Sequence, residues 1–524
     1  MYTVGHRSQL EATNLVDILS EEIPDNCGVT SHRDFSFEQN SGSIVFHMGT
    51  VRTHSPVHRR RFLLSSAAVL GVPFLPAEDT PAKVDIHVDP SRVLGSVPND
   101  FLGFGYEISS VASQGLLSPR NTALLRYYRN LGPEGSIRIG GNTADFSKWS
   151  PAGPPVSAPK ATVTNRAVIR DLGDFLHATG WKLIWNLNLG NDTAESAADQ
   201  AEAVAEAAKG RLLCFQIGNE PDLFARSGHR PEPYTYSEYH QEFLRFASVL
   251  RKRLPDAPLA GPDAASATEW VKLFADDEGK RIKLLTHHYY RAGQRQPAAT
   301  FENLLHTDPR WIDILKQLRA DSQACGVPYR IVEINSFSGG GKPDVSDTFT
   351  SALWALRLMF TLSAYDGAGL NLETGLNQLG FVSSYSPIFD DGQGQFAARP
   401  SYYAMLAFAI AGRGKRIRTD VSTSGNISAY GTLDNKQQPW VTVINSDIAT
   451  PIQATVSSAS HFQSAEAMRL RAPSYDAQTG TTLAGAQVSA EGHWKPKDIE
   501  KLKRTNGQLV LNLNPASAVL VKLT

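Results

Sequence analysis

Short apolar segments alternate with amphipathic helical patterns between residues 99 and 412, and this regular alternation sets the narrowest limit on the fold. The predicted strands are Phe101–Ser110, Ser136–Gly141, Lys182–Leu189, Leu212–Gly218, Leu259–Asp263, Leu284–Tyr290, Arg330–Asn335 and Gly369–Glu373. The predicted helices are Ser118–Leu131, Arg166–Thr179, Glu195–Lys209, Ser237–Leu254, Thr268–Asp276, Pro309–Ala324, Ser346–Ala364 and Pro400–Ala411. Eight consecutive strand–helix units predict a closed parallel (β/α)8 barrel, the TIM barrel of the α/β class. A doubly wound open sheet is the alternative, and the absence of a glycine-rich phosphate loop after the first strand weakens it.

The pattern changes after residue 412, where the helical period stops and short alternating segments begin. Trp440–Asn445, Gln453–Val456, Leu509–Leu513 and Ala518–Leu523 are separated by turn-forming clusters. This spacing predicts an antiparallel β-sandwich over residues 413–524. Residues 83–98 precede the barrel and begin with the same alternation, so we expect an N-terminal strand that joins the sandwich.

Composition excludes several classes of protein. Lysine and arginine number 51 against 52 aspartates and glutamates, which argues against a globally basic nucleic-acid binder. The three cysteines, Cys27, Cys214 and Cys325, cannot form a disulfide framework and lack zinc-ligand spacing. No apolar run reaches the length of about 20 residues that a transmembrane helix needs. We therefore expect neither a nucleic-acid partner nor a membrane span.

The N-terminal region resembles a targeting segment. Arg59-Arg60-Arg61-Phe62-Leu63-Leu64 precedes an apolar stretch that ends near Leu75. A basic region before such a stretch is typical of an export signal, here of the twin-arginine type, over residues 48–82. Residues 1–47 are interpreted as a non-native or disordered extension. The chain is therefore predicted to be exported to the periplasm or the extracellular space; a basic start to a buried helix is the alternative.

Polar residues follow several of the predicted strands, and in a barrel the carboxyl ends of the strands carry the active site. Glu220 directly follows the fourth strand, and Glu333 lies near the end of the seventh. Glycoside hydrolysis uses such a pair, in which one carboxyl group protonates the leaving oxygen and the other attacks or activates water. The alternatives are a surface carboxylate for Glu220 and a buried ion pair with Arg330 or another arginine for Glu333.

Five segments at the ends of the predicted strands together resemble glycoside hydrolase family 79, which includes β-glucuronidases and heparanases. These segments are Phe104-Gly105-Tyr106-Glu107, Arg138-Ile139-Gly140-Gly141-Asn142, Gly218-Asn219-Glu220-Pro221, His287-His288-Tyr289-Tyr290 and Glu333-Ile334-Asn335. The resemblance covers most of residues 83–524 and implies a retaining mechanism. It also implies that Glu220 is the acid/base and Glu333 the nucleophile.

The resemblance assigns further residues to the substrate site. Asn219 is expected to bind the sugar 2-hydroxyl, and Tyr290 to hydrogen-bond the nucleophile. Glu107 and Asp145 are expected to bind ring hydroxyls, and Asn142 stands at a substrate-contacting position. His288 is expected to line the site, although a buried core histidine is nearly as good an interpretation.

A uronic acid carries a carboxylate, for which arginine or lysine is the usual partner. The strand ends carry only Arg138, which is expected to support the catalytic carboxylates instead. The loop Phe381–Ser386 matches the heparanase-like segment that contacts the substrate carboxylate through a main-chain amide and a tyrosine hydroxyl. Ser384 and Tyr385 are therefore predicted to bind the carboxylate.

Three functions remain open from the sequence. The first is a retaining exo-β-glucuronidase that removes terminal β-D-glucuronic acid from a carbohydrate substrate. The second is an endo-acting enzyme on an acidic polysaccharide, which would need cationic cleft walls. The third is a carbohydrate-binding protein without catalysis. None of them requires a metal or an organic cofactor.

Overall fold

The computed structural model describes residues 81–158, 160–375, 383–391, 394–422 and 425–524. The predicted extension 1–47, nearly all of the predicted signal 48–82, and Phe381 and Val382 lie outside these ranges. Within them, no helix combines the length and the apolar character that crossing a membrane requires.

The described elements follow one another in a regular order. The strands are β1 Ala82–Val97, β2 Gly103–Glu107, β3 Ser136–Gly140, β4 Lys148–Trp149, β5 Val163–Thr164, β6 Lys182–Leu187, β7 Leu212–Ile217, β8 Leu259–Ala264, β9 Leu284–Gly293, β10 Tyr329–Ser338, β11 Leu370–Glu373, β12 Ile388–Asp390, β13 Phe396–Ala398, β14 Gly414–Ser422, β15 Ile427–Leu433, β16 Pro439–Asn445, β17 Ile452–Ser458, β18 Ser464–Arg471, β19 Thr482–Leu483, β20 Glu500–Lys503, β21 Leu509–Leu513 and β22 Ser517–Leu523. The α-helices are α1 Ile108–Ala112, α2 Thr122–Asn130, α3 Arg166–Thr179, α4 Ala194–Ala207, α5 Tyr236–Arg253, α6 Thr268–Glu278, α7 Phe301–Leu305, α8 Pro309–Cys325, α9 Phe349–Ala364 and α10 Pro400–Ala411.

Eight parallel strands close into a barrel, in the order β10-β11-β2-β3-β6-β7-β8-β9. Seven of them contain one of the predicted strands or most of it, so the predicted (β/α)8 barrel is confirmed and the doubly wound sheet is excluded. The predicted strand Phe101–Ser110 is too long, because β2 ends at Glu107 and the residues after it form α1. These strands are mostly buried along their length because the barrel interior covers one face and the helices cover the other. Parallel closure also brings all eight carboxyl ends to one rim.

Local sequence signals set the helix boundaries. Helix α3 begins where the Asn165 side chain accepts hydrogen bonds from two backbone N–H groups, and it ends at Gly180 in the left-handed conformation. The first predicted helix starts later than expected. The Ser118-Pro119 pair suggested a start there, but Asn121 is the residue whose side chain caps the helix, by accepting from the Leu124 amide. Helix α2 therefore begins at Thr122.

The remaining long strands form a second, mainly antiparallel sheet that surrounds its own core, as expected for a C-terminal β-sandwich. Its order is β19-β18-β22-β16-β15-β14-β1-β17-β21, with β20 paired to β18. Strand β1 enters this sheet from before the barrel, antiparallel to β14 and parallel to β17. Its inward residues Val84, Ile86 and Val88 pack in the same core as Val441 and Val456. Alternating burial along β1 therefore follows the alternation seen in the sequence.

Candidate active site

A cavity of about 880 Å³ lies at the rim formed by the carboxyl ends of the barrel strands. Its lining includes carboxyl, imidazole and phenol groups from β2, β9, β10 and β11 and from the segments after β7 and β11. The lining residues that bear on the chemistry are Glu107, Asn142, Glu220, His288, Tyr290, Glu333, Glu373 and Tyr385. Seven of these eight are predicted site residues, and Glu373 is the last residue of the eighth predicted strand.

Glu220 and Asp263 lie in the left-handed backbone region, with φ of 52° and 66°. Non-glycine residues seldom adopt this conformation, and such residues cluster at functional sites. The two are joined directly, because the Glu220 amide donates to the Asp263 carbonyl over 3.1 Å. The ends of β7 and β8 are thus fixed to each other, which turns the Glu220 side chain into the cavity.

The carboxylates of Glu220 and Glu333 face each other at short range. One carboxylate oxygen of each and a ring nitrogen of His288 all lie within 4.8 Å of one another. Retaining glycosidases hold their two carboxyl groups about 5–5.5 Å apart, whereas inverting enzymes need about 6.5–9.5 Å to admit a water molecule. An approach within 4.8 Å between one oxygen of each carboxylate lies on the side of the shorter, retaining separation.

Glu333 is held by two donors. Arg138 Nη1 donates to one carboxylate oxygen over 2.6 Å, and the Tyr290 hydroxyl donates to the other over 2.8 Å. Arg138 is buried and Tyr290 is half-buried, so both contacts that fix the orientation of the carboxylate are largely shielded from water. The Tyr290 contact is the one that the sequence analysis proposed. Glu333 also forms the buried ion pair named as its alternative, with Arg138 as the arginine. Arg330 Nη2 instead donates to Ser136 Oγ and the Phe101 carbonyl.

Asp263 is a buried carboxylate that the sequence analysis missed. It accepts from Arg138 Nη2 over 2.8 Å and contacts His288 Nε2 over 2.9 Å, and it also accepts from Gln216. Burial works to raise the pKa of Asp263, but Arg138 and His288 outweigh it and hold the pKa at about 2. Asp263 ends the fifth predicted strand, so the strand-end rule applied to that strand would have found it.

His288 bridges the two sides of the cavity floor. Its Nδ1 lies 2.9 Å from Glu220 Oε1, and its Nε2 lies 2.9 Å from Asp263 Oδ1. Burial works to lower the pKa of His288, but Asp263 and Glu333 raise it well above the ordinary range. The imidazole is therefore protonated near neutral pH and donates one N–H to each carboxyl group.

Glu220 experiences the opposite balance. Burial and the nearby Glu333 raise its pKa, and the hydrogen bond from His288 only partly offsets them. Glu220 therefore retains its proton to higher pH than an exposed glutamate would. A carboxyl group with a raised pKa that faces an oriented carboxylate is the arrangement that separates an acid from a nucleophile.

Glu107 closes the other side of the cavity. It accepts from the Thr143 amide and hydroxyl, both over 2.6 Å, and from the Asn142 amide over 3.1 Å. Burial raises its pKa to about 7 despite these bonds. Gly141 lies beside it with φ of 72°, and a Cβ there would clash with the Glu107 carboxyl group. The glycine is thus required both by the turn and by the close approach.

Three predicted substrate-binding residues do not line the cavity. Asp145 is buried, and its oxygens accept from the backbone amides of Leu189, Gly190 and Asn219, so it holds two strand ends together. The Asn219 side-chain oxygen accepts from Arg138 over 2.6 Å. Ser384 directs its carbonyl to Arg399, while its neighbour Ser383 lines the cavity. These directions depend on partners from distant segments, which the strand-end rule does not see.

Cationic side chains also reach the cavity wall. Arg226, Arg291 and Arg310 are lining residues. Arg291 follows Tyr290 near the end of β9, where the strand-end rule could have identified it. Arg226 follows the catalytic candidate Glu220 in a loop, and Arg310 lies in the first turn of α8, so no strand-end signal marked either.

Glu220, His288 and Glu333 could each offer one ligand atom to a metal ion. Both ring nitrogens of His288 already contact carboxyl groups, and a protonated imidazole has no lone pair for a metal. The trio as arranged therefore fits proton transfer better than coordination.

Known proteins resemble this chain in sequence and in fold. A β-glucuronidase of Aspergillus niger is 27% identical over 405 residues, which cover 67% of this chain and 74% of that protein. A β-glucuronidase of Neurospora crassa is 26% identical over 372 residues, or 62% of this chain and 66% of that protein. A 4-O-α-L-rhamnosyl-β-D-glucuronidase from Fusarium oxysporum 12S has a solved structure with a TM-score of 0.68 at 16% identity, covering 83% of this chain and all of that one. No family model matches the chain. The solved structure supports the barrel-plus-sandwich fold, and the two sequence relatives bear on what the site does.

Proposed function

We propose that this chain is a retaining exo-β-glucuronidase of glycoside hydrolase family 79 that is exported from the cell. The observation that carries the proposal is the pair Glu220 and Glu333, whose carboxylate oxygens approach within 4.8 Å inside a rim cavity. The two relatives named β-glucuronidase support the choice of sugar. The export signal is supported only by the Arg59–Leu75 sequence pattern.

In the first step, Glu333 attacks the anomeric carbon while Glu220 gives its proton to the departing glycosidic oxygen. The bond from carbon to the aglycone breaks, and a bond from carbon to Glu333 forms. In the second step, the now ionised Glu220 takes a proton from water, and the water oxygen displaces Glu333. The sugar leaves with its original anomeric configuration, and both carboxyl groups return to their starting states.

Neighbouring groups prepare each carboxyl group for its role. Arg138 and Tyr290 orient Glu333 and hold its lone pairs toward the sugar. His288 donates to Glu220, which keeps the acid pointed at the leaving oxygen and stabilises the anion that forms after proton transfer. Asp263 fixes both Arg138 and His288, so it acts as a positioning residue for both halves of the reaction.

The test is hydrolysis of an aryl β-glucuronide followed by proton NMR of the first product formed. We expect β-glucuronic acid to appear first and then to mutarotate. Initial release of the α-anomer would overturn the retaining mechanism. Binding of glucuronides without turnover would favour the non-catalytic alternative.

An endo-acting enzyme is the second candidate, and the arginines on the cavity wall favour it. Arg226 and Arg310 are both exposed on the cavity wall and would face an anionic polysaccharide on either side of the cleaved bond. Sizing the products from an acidic oligosaccharide separates the two modes. Single sugars released from one end support exo action, and fragments from mid-chain cleavage support endo action.

Export is tested by N-terminal sequencing of the protein recovered from outside the cell. A mature chain that begins between Ala77 and Ala82 supports the signal. A secreted chain that retains Tyr2–His47 would contradict it.

A further inference from the structure

Glu373 is a buried carboxyl group that accepts no hydrogen bond from the described side chains. It ends β11 and is only 2% exposed, and it lines the cavity. Both of its carboxyl oxygens lack a hydrogen-bond partner in the part of the chain that the structure describes. The other carboxyl groups of the cavity, Glu107, Glu220 and Glu333, each have at least one donor. An orphan group of this kind points to a partner that arrives with the substrate.

The surroundings of Glu373 favour its neutral form. Strand β11 lies between β10, which carries Glu333, and β2, which carries Glu107. Burial and these two carboxyl groups raise the pKa of Glu373 well above its ordinary range, and Arg138 and His288 only partly oppose them. The groups that face it are therefore Glu333, Glu107, Arg138 and His288, together with the hydroxyls of Tyr106, Tyr290 and Tyr385.

The backbone makes room for this side chain. Gly105 on β2 pairs with Glu373 in the strand register, and a Cβ on Gly105 would clash with Glu373 Oε2. The carboxyl group therefore occupies the space that a side chain on β2 would otherwise fill. It lies near the buried phenol of Tyr385, which lines the same cavity.

We infer that Glu373 is a specificity-determining residue that, as a neutral acid, donates its O–H to the carboxylate of the sugar, beside the Tyr385 hydroxyl. This inference rests on the proposed β-glucuronidase function. A carboxylate only accepts hydrogen bonds, and an O–H···O⁻ contact is among the stronger ones. An ionised Glu373 would instead repel the substrate, so its proton is what admits a uronic acid.

A neutral donor also solves a problem that a cation would create here. An additional arginine at this depth would compete with Arg138 for Glu333 and disturb the orientation of the nucleophile. Glu373 and Tyr385 supply donors without adding positive charge. The site can thus distinguish a uronate from a neutral sugar while the Arg138–Glu333 pair stays intact.

Two variants separate the donor from the shape. Glu373→Gln keeps a donor that does not ionise, and Glu373→Met removes the donor but fills similar space. Each is assayed on paired 4-nitrophenyl β-glucuronide and β-glucoside, with Glu269→Gln, an exposed carboxyl in the first turn of α6, as the matched control. We expect Glu373→Met to lower the ratio of glucuronide to glucoside kcat/KM at least about 10-fold, and Glu373→Gln to retain most of that ratio.

A binding measurement supplies a readout that a merely structural residue would not move. We expect the affinity of the parent chain for free D-glucuronate, measured by calorimetry, to fall between pH 5 and 9, and that of Glu373→Gln to fall less. We also expect Glu373→Met to melt at or above the parent temperature, because it removes an unpartnered buried acid. If the Met variant does not fold, the pH dependence of the Gln variant still decides.

Equal losses on both sugars, a Gln variant as damaged as the Met variant, or the same pH dependence in parent and Gln variant would overturn the inference. In all these outcomes the parent chain still cleaves glucuronides. A parent chain that leaves glucuronides intact would instead refute the proposed function, so the two failures are distinguishable.

Discussion

The two sides of the cavity floor differ in the partners that they give to their carboxyl groups. The charged side consists of Arg138, Asp263, His288 and Glu333, in which each carboxylate meets at least one cation. The cation-free side consists of Glu107, Glu373 and Tyr385, where burial raises every pKa and none of the three forms an ion pair in the described residues. Both sides are buried to a similar degree.

The difference shows that burial alone does not decide the protonation of these groups. Asp263 and Glu107 both lose water, yet the pKa of Asp263 is about 2 and that of Glu107 is about 7. Two buried cations outweigh burial at Asp263, whereas the hydrogen bonds from Thr143 only partly offset burial at Glu107. The cavity can therefore supply fixed charge on one side and proton donors on the other. Retaining hydrolysis of a uronide needs both.

The largest expected effect comes from removing the carboxylate of Glu333, the proposed nucleophile on the charged side. Glu333→Gln preserves shape but cannot attack the anomeric carbon, so we expect kcat on an aryl β-glucuronide to fall on the order of 10⁶-fold, as for loss of a nucleophile elsewhere. Steady-state kinetics measures this. Activity within 10-fold of the parent would exclude Glu333 as the nucleophile.

Glu220 joins the two sides, because it contacts His288 and yet has a pKa that burial and Glu333 raise. We expect Glu220→Gln to lower kcat about 10²- to 10⁴-fold on substrates with poor leaving groups, the usual contribution of a general acid. On an aryl glucuronide with a good leaving group the loss in the first step will be smaller, since that oxygen needs little protonation. Identical losses across a leaving-group series would contradict the assignment.

The sequence revealed much of this arrangement because the fold repeats. Regular alternation located the barrel strands to within a few residues, and the strand-end rule placed Glu107, Glu220 and Glu333 on one rim. The rule could not show where each side chain points. The Asp145 carboxylate accepts from backbone amides just after β6 and β7, and the Asn219 side chain accepts from Arg138. Partners far along the chain set both directions. Asp263 ends the fifth predicted strand, at which no site residue was proposed.

The two sides should also respond oppositely to pH in their stability. The folded-state pKa of Asp263 is lowered from 3.8 to about 2, so its contribution is present above pH 3.8 and is lost as pH falls toward 2. The folded-state pKa of Glu107 is raised from 4.5 to about 7, so its contribution is present below pH 4.5 and is lost as pH rises through 7. Each amounts to roughly 2–3 kcal/mol.

Asp263→Asn and Glu107→Gln test this opposition by urea unfolding at pH 3, 5 and 7. We expect Asp263→Asn to flatten the acid limb of the free energy of unfolding, at a lower overall stability because Arg138 loses a buried partner. We expect Glu107→Gln to reduce the decline between pH 5 and 7. If both substitutions changed the pH dependence of the free energy of unfolding in the same direction, the two sides would not differ in the way described.

The smallest of these effects concerns the hydroxyl of Tyr385, whose ring lies 6.2 Å from that of Tyr290. The two phenols divide between the two sides: Tyr290 donates to Glu333, and Tyr385 is proposed to donate to the sugar carboxylate. Losing one hydrogen bond to a charged group costs about 1.5–3 kcal/mol, or roughly 10- to 150-fold in kcat/KM. We expect Tyr385→Phe to show this loss on a β-glucuronide and much less on a β-glucoside.

Tyr290→Phe is the matched control, and it should lower turnover of both sugars alike, because it acts on the nucleophile and not on the substrate carboxylate. Equal losses on both sugars for Tyr385→Phe would assign its hydroxyl to the same task as Tyr290 and remove it from uronate recognition.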